Sequence, residues 1–187
     1  MYSLTSLSEG DYNTAVGYNS GAYISTGTQN ALFGSNAGDA ITTGAYNTGM
    51  GHAALGNVTT GNHNTGLGRN AVAAVTTGGQ NTGVGSGAAD AITEGNYNTA
   101  LGYGALTTDT KGSRATAIGR EALLNQNFTS ATNSYNTAVG FNAGNQITTS
   151  VQNVLVGGLA GDAITTGTVS YTHLRAHETP EHRGWRL

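Results

Sequence analysis

Side chains that trade protons, attack carbonyls or hold metals are sparse in this sequence. Residues 1–168 carry eight carboxylates, Glu9, Asp11, Asp39, Asp90, Glu94, Asp109, Glu121 and Asp162, with no recurrent pair among them. Asp39, Asp90 and Asp162 occupy one position of an internal repeat, in units too far apart to form an acid/base dyad. No nucleophile, base and orienting group can be named together, so no catalytic residue and no enzymatic activity are expected. Gly66-Leu67-Gly68 and Gly83-Val84-Gly85 look like phosphate-cradling glycines, but they belong to the repeat and no helix follows them. His173, His177 and His182 have metal-like spacing, in a C-terminal stretch that breaks the pattern of the rest. With no cysteine there is neither a disulfide framework nor a thiolate metal site. Calcium-binding β-rolls need an Asp in each nine-residue half-turn, which this chain lacks. No cofactor and no metal are expected.

What remains is the chemistry of recognition. Tyr12, Tyr46, Tyr97 and Tyr135, with His63 and Arg114, each precede the first residue of a repeat unit, which is almost always Asn. Tyr18, His52, Arg69, Tyr103, Arg120 and Phe141 share the sixth position of the unit. These positions vary while the scaffold stays fixed, and exposed Tyr, His and Arg are what contact surfaces favour. Apart from Arg114, they are the candidate ligand contacts. Stacking along an edge, which would only stiffen it, is the competing reading. A second function class comes from threonine, which fills the second position in seven of nine units and forms Thr-Thr pairs before Gly. Flat threonine arrays can bind ice, but adjacent residues of one strand point to opposite faces.

The elements that position these residues follow from periodicity, which is read before any local propensity. The pentapeptide Asn13-Thr14-Ala15-Val16-Gly17 returns at Asn30, Asn47, Asn64, Asn81 and Asn98, each 17 residues on, then at Ala115, Asn136 and Asn153. The step from Ala115 to Asn136 is 21 residues, so the coil 115–135 carries a four-residue insertion within 125–135. The fourth position is always large and apolar: Val16, Phe33, Met50, Leu67, Val84, Leu101, Ile118, Val139 and Val156. The fifth is always Gly and the eighth is small, Ser20 and then Ala. The twelfth is β-branched at Ile24, Ile41, Val58, Val75, Ile92, Ile147 and Ile164.

Thr, Val and Ile suit pleated strands, whereas Gly every few residues costs a helix about 1 kcal/mol each. The pattern predicts an all-β parallel β-roll or β-solenoid of about nine 17-residue coils, with two short strands per turn. Its core is expected from the fourth and twelfth positions. The recurrent asparagines (Asn13, Asn30, Asn47, Asn64, Asn81, Asn98, Asn136 and Asn153) are expected to stack as a corner ladder. The alanine and glycine columns are expected to let neighbouring chains approach closely.

Composition agrees with a thin stacked core. Leu, Ile, Val and Phe make up about 17% of residues 1–168, as low as in a disordered chain, but they sit in fixed columns. The net charge of −3 argues against nucleic acid or a polybasic membrane surface, and no window is apolar enough for membrane insertion. Residues 1–12 read as a lead-in without signal-peptide features, so the chain starts inside a longer protein or is not exported by that route. Residues 13–168 are the repeat domain. Residues 169–187 leave the register and hold the only Pro and the only Trp. The string Val169-Ser170-Tyr171-Thr172-His173-Leu174-Arg175-Ala176-His177-Glu178-Thr179 resembles a translated sequencing-library adapter, which reads this tail as an artefact fused to a truncated repeat protein.

Asn-Thr-Ala-Val-Gly, followed by Asn-Ser-Gly or Asn-Ala-Gly and then Thr-Thr-Gly, resembles the YadA-like head repeats of trimeric autotransporter adhesins and similar repeats of phage tail fibres. The present unit is longer than that family's repeat of about 14 residues. The resemblance implies a left-handed roll, a homotrimer, and attachment to a host-surface glycan or protein receptor at an extracellular location, on a bacterial surface or a virion. A passive spacer within a fibre is the alternative.

Overall fold

The computed structural model describes residues 3–167 and the backbone of 172–174. The chain is an all-β parallel solenoid, with no helix among the described residues, hence none that is long and apolar enough to cross a membrane. Twelve strands follow in chain order: β1 Thr14–Val16, β2 Ala31–Phe33, β3 Thr48–Met50, β4 Thr65–Leu67, β5 Thr82–Val84, β6 Thr99–Leu101, β7 Gly112–Ser113, β8 Thr116–Ile118, β9 Thr132–Asn133, β10 Thr137–Val139, β11 Val154–Val156 and β12 Thr172–Leu174. All but β7 and β9 form one ten-stranded parallel sheet, each strand paired with the next coil's. Pairing is in register, Thr48 with Thr65 and Met50 with Leu67, so like residues lie above like.

One strand per turn, not two, is what forms, except in the coils 98–114 and 115–135, where β7 and β9 add a short second pair. At the Thr-Thr-Gly corner the amides of Ser25, Thr26 and Gly27 all converge on the Thr42 carbonyl at 3.0–3.3 Å, and the Thr59 and Thr76 carbonyls are used the same way. Three donors aimed at one acceptor make a compact turn, not a pleated ladder. The first Thr of each pair also donates its hydroxyl to the next coil, Thr42 Oγ1 to the Thr59 carbonyl at 3.1 Å and Thr59 Oγ1 to that of Thr76 at 3.0 Å.

The inward face of the strand is the opposite of the one expected. Fourth-position side chains point outward: Val16, Phe33, Met50, Leu101 and Val156 are exposed, and Leu67, Val84, Ile118 and Val139 half-buried. The third position faces in, with Leu32, Ala100, Ala117, Ala138 and Leu155 buried. Space explains the choice. Each turn is so narrow that at most one large side chain enters, from either the strand or the facing ninth position. Leu32 enters opposite Gly38, whose missing Cβ would lie 2.7 Å from Leu32 Cδ2. In the next coil Leu55 enters from the ninth position, and a Cβ on Gly49 would lie 3.3 Å from Leu55 Cδ1. The twelfth position supplies the rest of the core as expected, Ile24, Ile41, Val58, Val75, Ile92 and Ile147 being buried and Ile164 half-buried. The eighth-position alanines, from Ala37 to Ala160, also line this interior, so they are closed to neighbouring chains.

The asparagine ladder forms. Asn47 Nδ2 donates to the Asn30 carboxamide oxygen at 3.1 Å and to the Gly61 carbonyl at 2.9 Å, and its own oxygen accepts from the Asn64 amide at 2.9 Å. Equivalent bonds join Asn13 to Asn30, Asn64 to Asn81, Asn81 to Asn98, and Asn136 to Asn153.

Both ends extend the solenoid. The Leu4 and Ser8 amides donate to the Ser20 and Ser25 carbonyls, so residues 3–12 stack on the first unit as a partial coil. At the other end β12 pairs with β11, Val154 with Thr172, one residue beyond the 17-residue step. His177, His182 and most of the segment 169–187 lie outside the described residues.

Candidate recognition surface

The strand presents its second and fourth positions outward and is flanked by the two variable columns. A glycine with φ between +128° and +140° ends each strand from β1 to β11 apart from β7 and β9, and from Gly17 to Gly140 a Cβ there would strike the next coil: on Gly68 it would lie 2.7 Å from the Gly85 carbonyl oxygen. That turn throws the sixth position outward, where Tyr18, His52, Arg69, Tyr103, Arg120 and Phe141 are all exposed. At the other end of the strand the residue before each Asn adopts φ between +50° and +62°, an unfavourable conformation for Tyr, Gln, His or Arg. The stacking that holds it is visible in the amide bonds: Tyr46 donates to the Thr28 carbonyl at 3.0 Å, His63 to that of Ala45 at 3.0 Å, and Tyr97 to that of Gly79 at 3.2 Å. Tyr12, Tyr46, His63, Tyr97, Arg114 and Tyr135 are all exposed as a result.

Several neighbours within each column touch. Tyr46 and His63 stack face to face, centroids 4.7 Å apart and planes 1° from parallel. The Arg114 guanidinium lies 4.8 Å from the Tyr97 ring centre and 5.9 Å from that of Tyr135. Arg120 lies 5.7 Å and 5.8 Å from the rings of Tyr103 and Phe141, and its Nη2 is 3.0 Å from Glu121 Oε1. The structure thus brings the candidate contacts into two ladders, one on each side of the sheet, and self-stacking coexists with exposure.

Between these ladders runs a surface that the sequence reading assigned to the core. Val16, Phe33, Met50, Leu67, Val84, Leu101, Ile118, Val139 and Val156 follow one another along nine paired strands, five of them exposed. Parallel sheets are ordinarily covered on both faces, and a continuous exposed apolar strip marks an interaction site.

The carboxylates remain scattered, and no group of three His, Cys, Asp or Glu side chains suited to a metal exists among the described residues. Burial raises the pKa of Asp39, Asp90 and Asp109 above the ordinary carboxylate value. Asp109 is the one that is fully buried. Its Oδ2 accepts from Gln126 Nε2 at 2.6 Å and its Oδ1 from the amides of Gly112 and Phe128, each at 3.0 Å. Gln126 in turn accepts from Asn136 Nδ2 at 2.7 Å. This relay replaces the rung missing at Ala115. Its signal in the sequence is the twelfth position, where Asp109 and Gln126 stand in the two units that lack a β-branched residue there.

No protein-family model, curated protein or solved structure matches the chain.

Proposed function

We propose that this chain is a non-enzymatic fibre segment that assembles with copies of itself and displays its aromatic and cationic ladders to a surface or receptor outside the cell. The continuous outward apolar strip from Val16 to Val156 carries the reading. Its side chains repeat with the pitch of the strands, about 4.8 Å, and a rod of the same pitch matches such a row along its whole length. A second and third copy of this chain are that rod. Covering the strip in a homotrimer of left-handed rolls, as the sequence resemblance implies, leaves the Tyr, His and Arg columns at the rims.

Sedimentation equilibrium of the full chain tests the assembly. The expected result is a trimer that dissociates to monomers when Met50→Glu and Leu101→Glu place charges on the strip. A native monomer would overturn the self-assembly half of the proposal. Attachment is tested separately with Tyr18→Ser and Tyr103→Ser, which should abolish surface binding at unchanged thermal stability. Unchanged binding would favour a passive spacer, the reading supported by the stacking of Tyr46 on His63.

A further inference from the structure

One notch interrupts the sixth- and seventh-position ridge. The seventh position holds Asn19, Asn36, Ala53, Asn70, Glu121, Asn142 and Leu159, but glycine at Gly87 and Gly104 in two adjacent coils. Backbone geometry does not ask for glycine there, since all nine residues share φ between +52° and +67°. Packing does not ask for it either. A Cβ on Gly87 would meet nothing closer than Asp90 Oδ2 at 3.6 Å, and one on Gly104 nothing closer than Thr107 Oγ1 at 3.4 Å. What the glycines change is the space, an open cleft of about 280 Å³.

The walls of that cleft have a defined chemistry. Tyr103, 60% exposed, offers a ring face, Arg69 offers donors, and Asp90 and Glu121 offer carboxylates. Asp90 Oδ2 is the oxygen that faces the notch, 3.6 Å from where a Cβ on Gly87 would sit, and a carboxylate oxygen there accepts from an arriving donor. Two carboxylates disfavour a phosphate or sulfate. The polar half of the lining disfavours a purely apolar guest, and Arg69 together with the Arg120–Glu121 ion pair offsets the carboxylates, so a lysine or arginine side chain finds no net negative charge. A pyranose has hydroxyls that both donate and accept, and an apolar C–H face to lay on an aromatic ring. We propose that the Gly87–Gly104 notch is a binding subsite for one neutral hexose-type ring, with Asp90 as hydroxyl acceptor and Tyr103 as stacking platform. The proposal rests on the reading that the variable columns face a receptor, and it assigns that receptor's chemistry at this one place.

The test titrates the full chain with neutral hexoses and N-acetylhexosamines, following the Tyr103 ring resonances. The expected affinity is weak, on the order of 1 mM, as suits one sugar in a shallow site. Gly87→Asn with Gly104→Asn fills the notch with the residue other coils carry at the same φ, so the fold should persist with an unchanged melting temperature. Sugar binding should fall at least tenfold, and Asp90→Ala should do the same. No shift with any sugar, or shifts that survive the double substitution, would overturn the subsite. Response to a lysine-containing peptide or to inorganic phosphate instead of sugar would overturn its chemical assignment. If the double variant loses sugar binding while Tyr12→Ser and Tyr46→Ser leave it intact, the subsite is supported. If sugar binding is absent yet surface attachment persists, the subsite fails and the attachment reading stands.

Discussion

The coils from Asn47 to Gln80 and the coil from Ala115 to Tyr135 solve one problem in two ways. In the first pair, Asn47 and Asn64 close the corner rung by rung while Val58 and Val75 fill the interior below. In the second, the rung is Ala115, which donates its amide to Asn98 but has no side-chain oxygen for Asn136. Gln126 supplies that oxygen from inside, and Asp109 in the coil before anchors Gln126. A corner built on a local amide ladder has become a corner built on a buried carboxylate. The insertion accompanies the exchange: β7 and β9 pair beside it, Phe128 is buried, and Thr129, Ser130 and Ala131 loop into solvent. The ladder is therefore replaceable, provided the interior provides a polar substitute, and the substitute brings a desolvated charge with it.

What both regions share is the stacked glycine at the strand end. Gly68→Ala in a regular coil and Gly119→Ala in the irregular one should each cost about 4 kcal/mol or more, because the new Cβ meets the next coil's backbone and the positive φ is lost to it. Urea unfolding checks this. A much milder effect at Gly119 would show that the irregular coil is loosely stacked, and would break the picture of one continuous sheet.

The next largest effects separate the regions. Asp109→Ala leaves Gln126 Nε2 and the amides of Gly112 and Phe128 without their acceptor, and about 3 kcal/mol should be lost. Asn64→Ala removes an acceptor of the Asn81 amide and the donor to the Gly78 carbonyl, with an expected cost of about 2 kcal/mol. Equal costs in denaturant titrations would mean that the buried relay is no more exacting than the ladder it replaces.

Acid response sharpens the contrast further. Burial raises the Asp109 pKa above 3.8, outweighing the hydrogen bonds from Gln126, Phe128 and Gly112 that lower it. The folded state then binds the proton more tightly than the unfolded chain, so stability from this group is fully present below pH 3.8 and is lost as pH rises through the folded value. Comparing wild type with Asp109→Ala across pH 3–7 should show the gap between them narrowing as pH rises. A gap that widens toward neutrality would mean that the hydrogen bonds to the carboxylate outweigh its desolvation.

Much of this was open to reading in the residues. Register, the asparagine ladder, the twelfth-position core and the exposure of Tyr18, Tyr46 and Tyr103 follow from repetition alone, because stacking places each column on itself. The inward face of the strand was misread because alternation ties Thr14 to Val16 without saying which side either faces, and hydrophobicity favoured Val16. The corrective signal lies in paired positions: Leu32 with Gly38 and Leu155 with Gly161, against Gly49 with Leu55 and Gly66 with Val72. Size is traded between the third and ninth positions, which only residues sharing one narrow interior need do. Leu55, Val72, Leu106 and Leu123 hold φ near +55°, where intrinsic preference never places a large apolar residue, so no local rule points to them as core.

The smallest effect is expected where the irregular coil meets water. Thr129, Ser130 and Ala131 are exposed, and Lys111, which reaches the loop's first turn through its amide bond to the Phe128 carbonyl, pairs at the surface with Glu94 at 2.9 Å. Lengthening a surface loop from four extra residues to six adds little closure entropy, and an exposed ion pair contributes little. Inserting Gly-Ser after Ser130 should therefore change unfolding free energy by less than about 0.5 kcal/mol. The same insertion after Thr60, in a coil where Thr76 receives the amides of Thr59, Thr60 and Gly61, has to rupture that convergence and should be far more damaging. Comparable losses at the two sites would mean that the loop at Ser130 is held as tightly as the regular corner, and that the extra residues are part of the stack instead of an outgrowth from it.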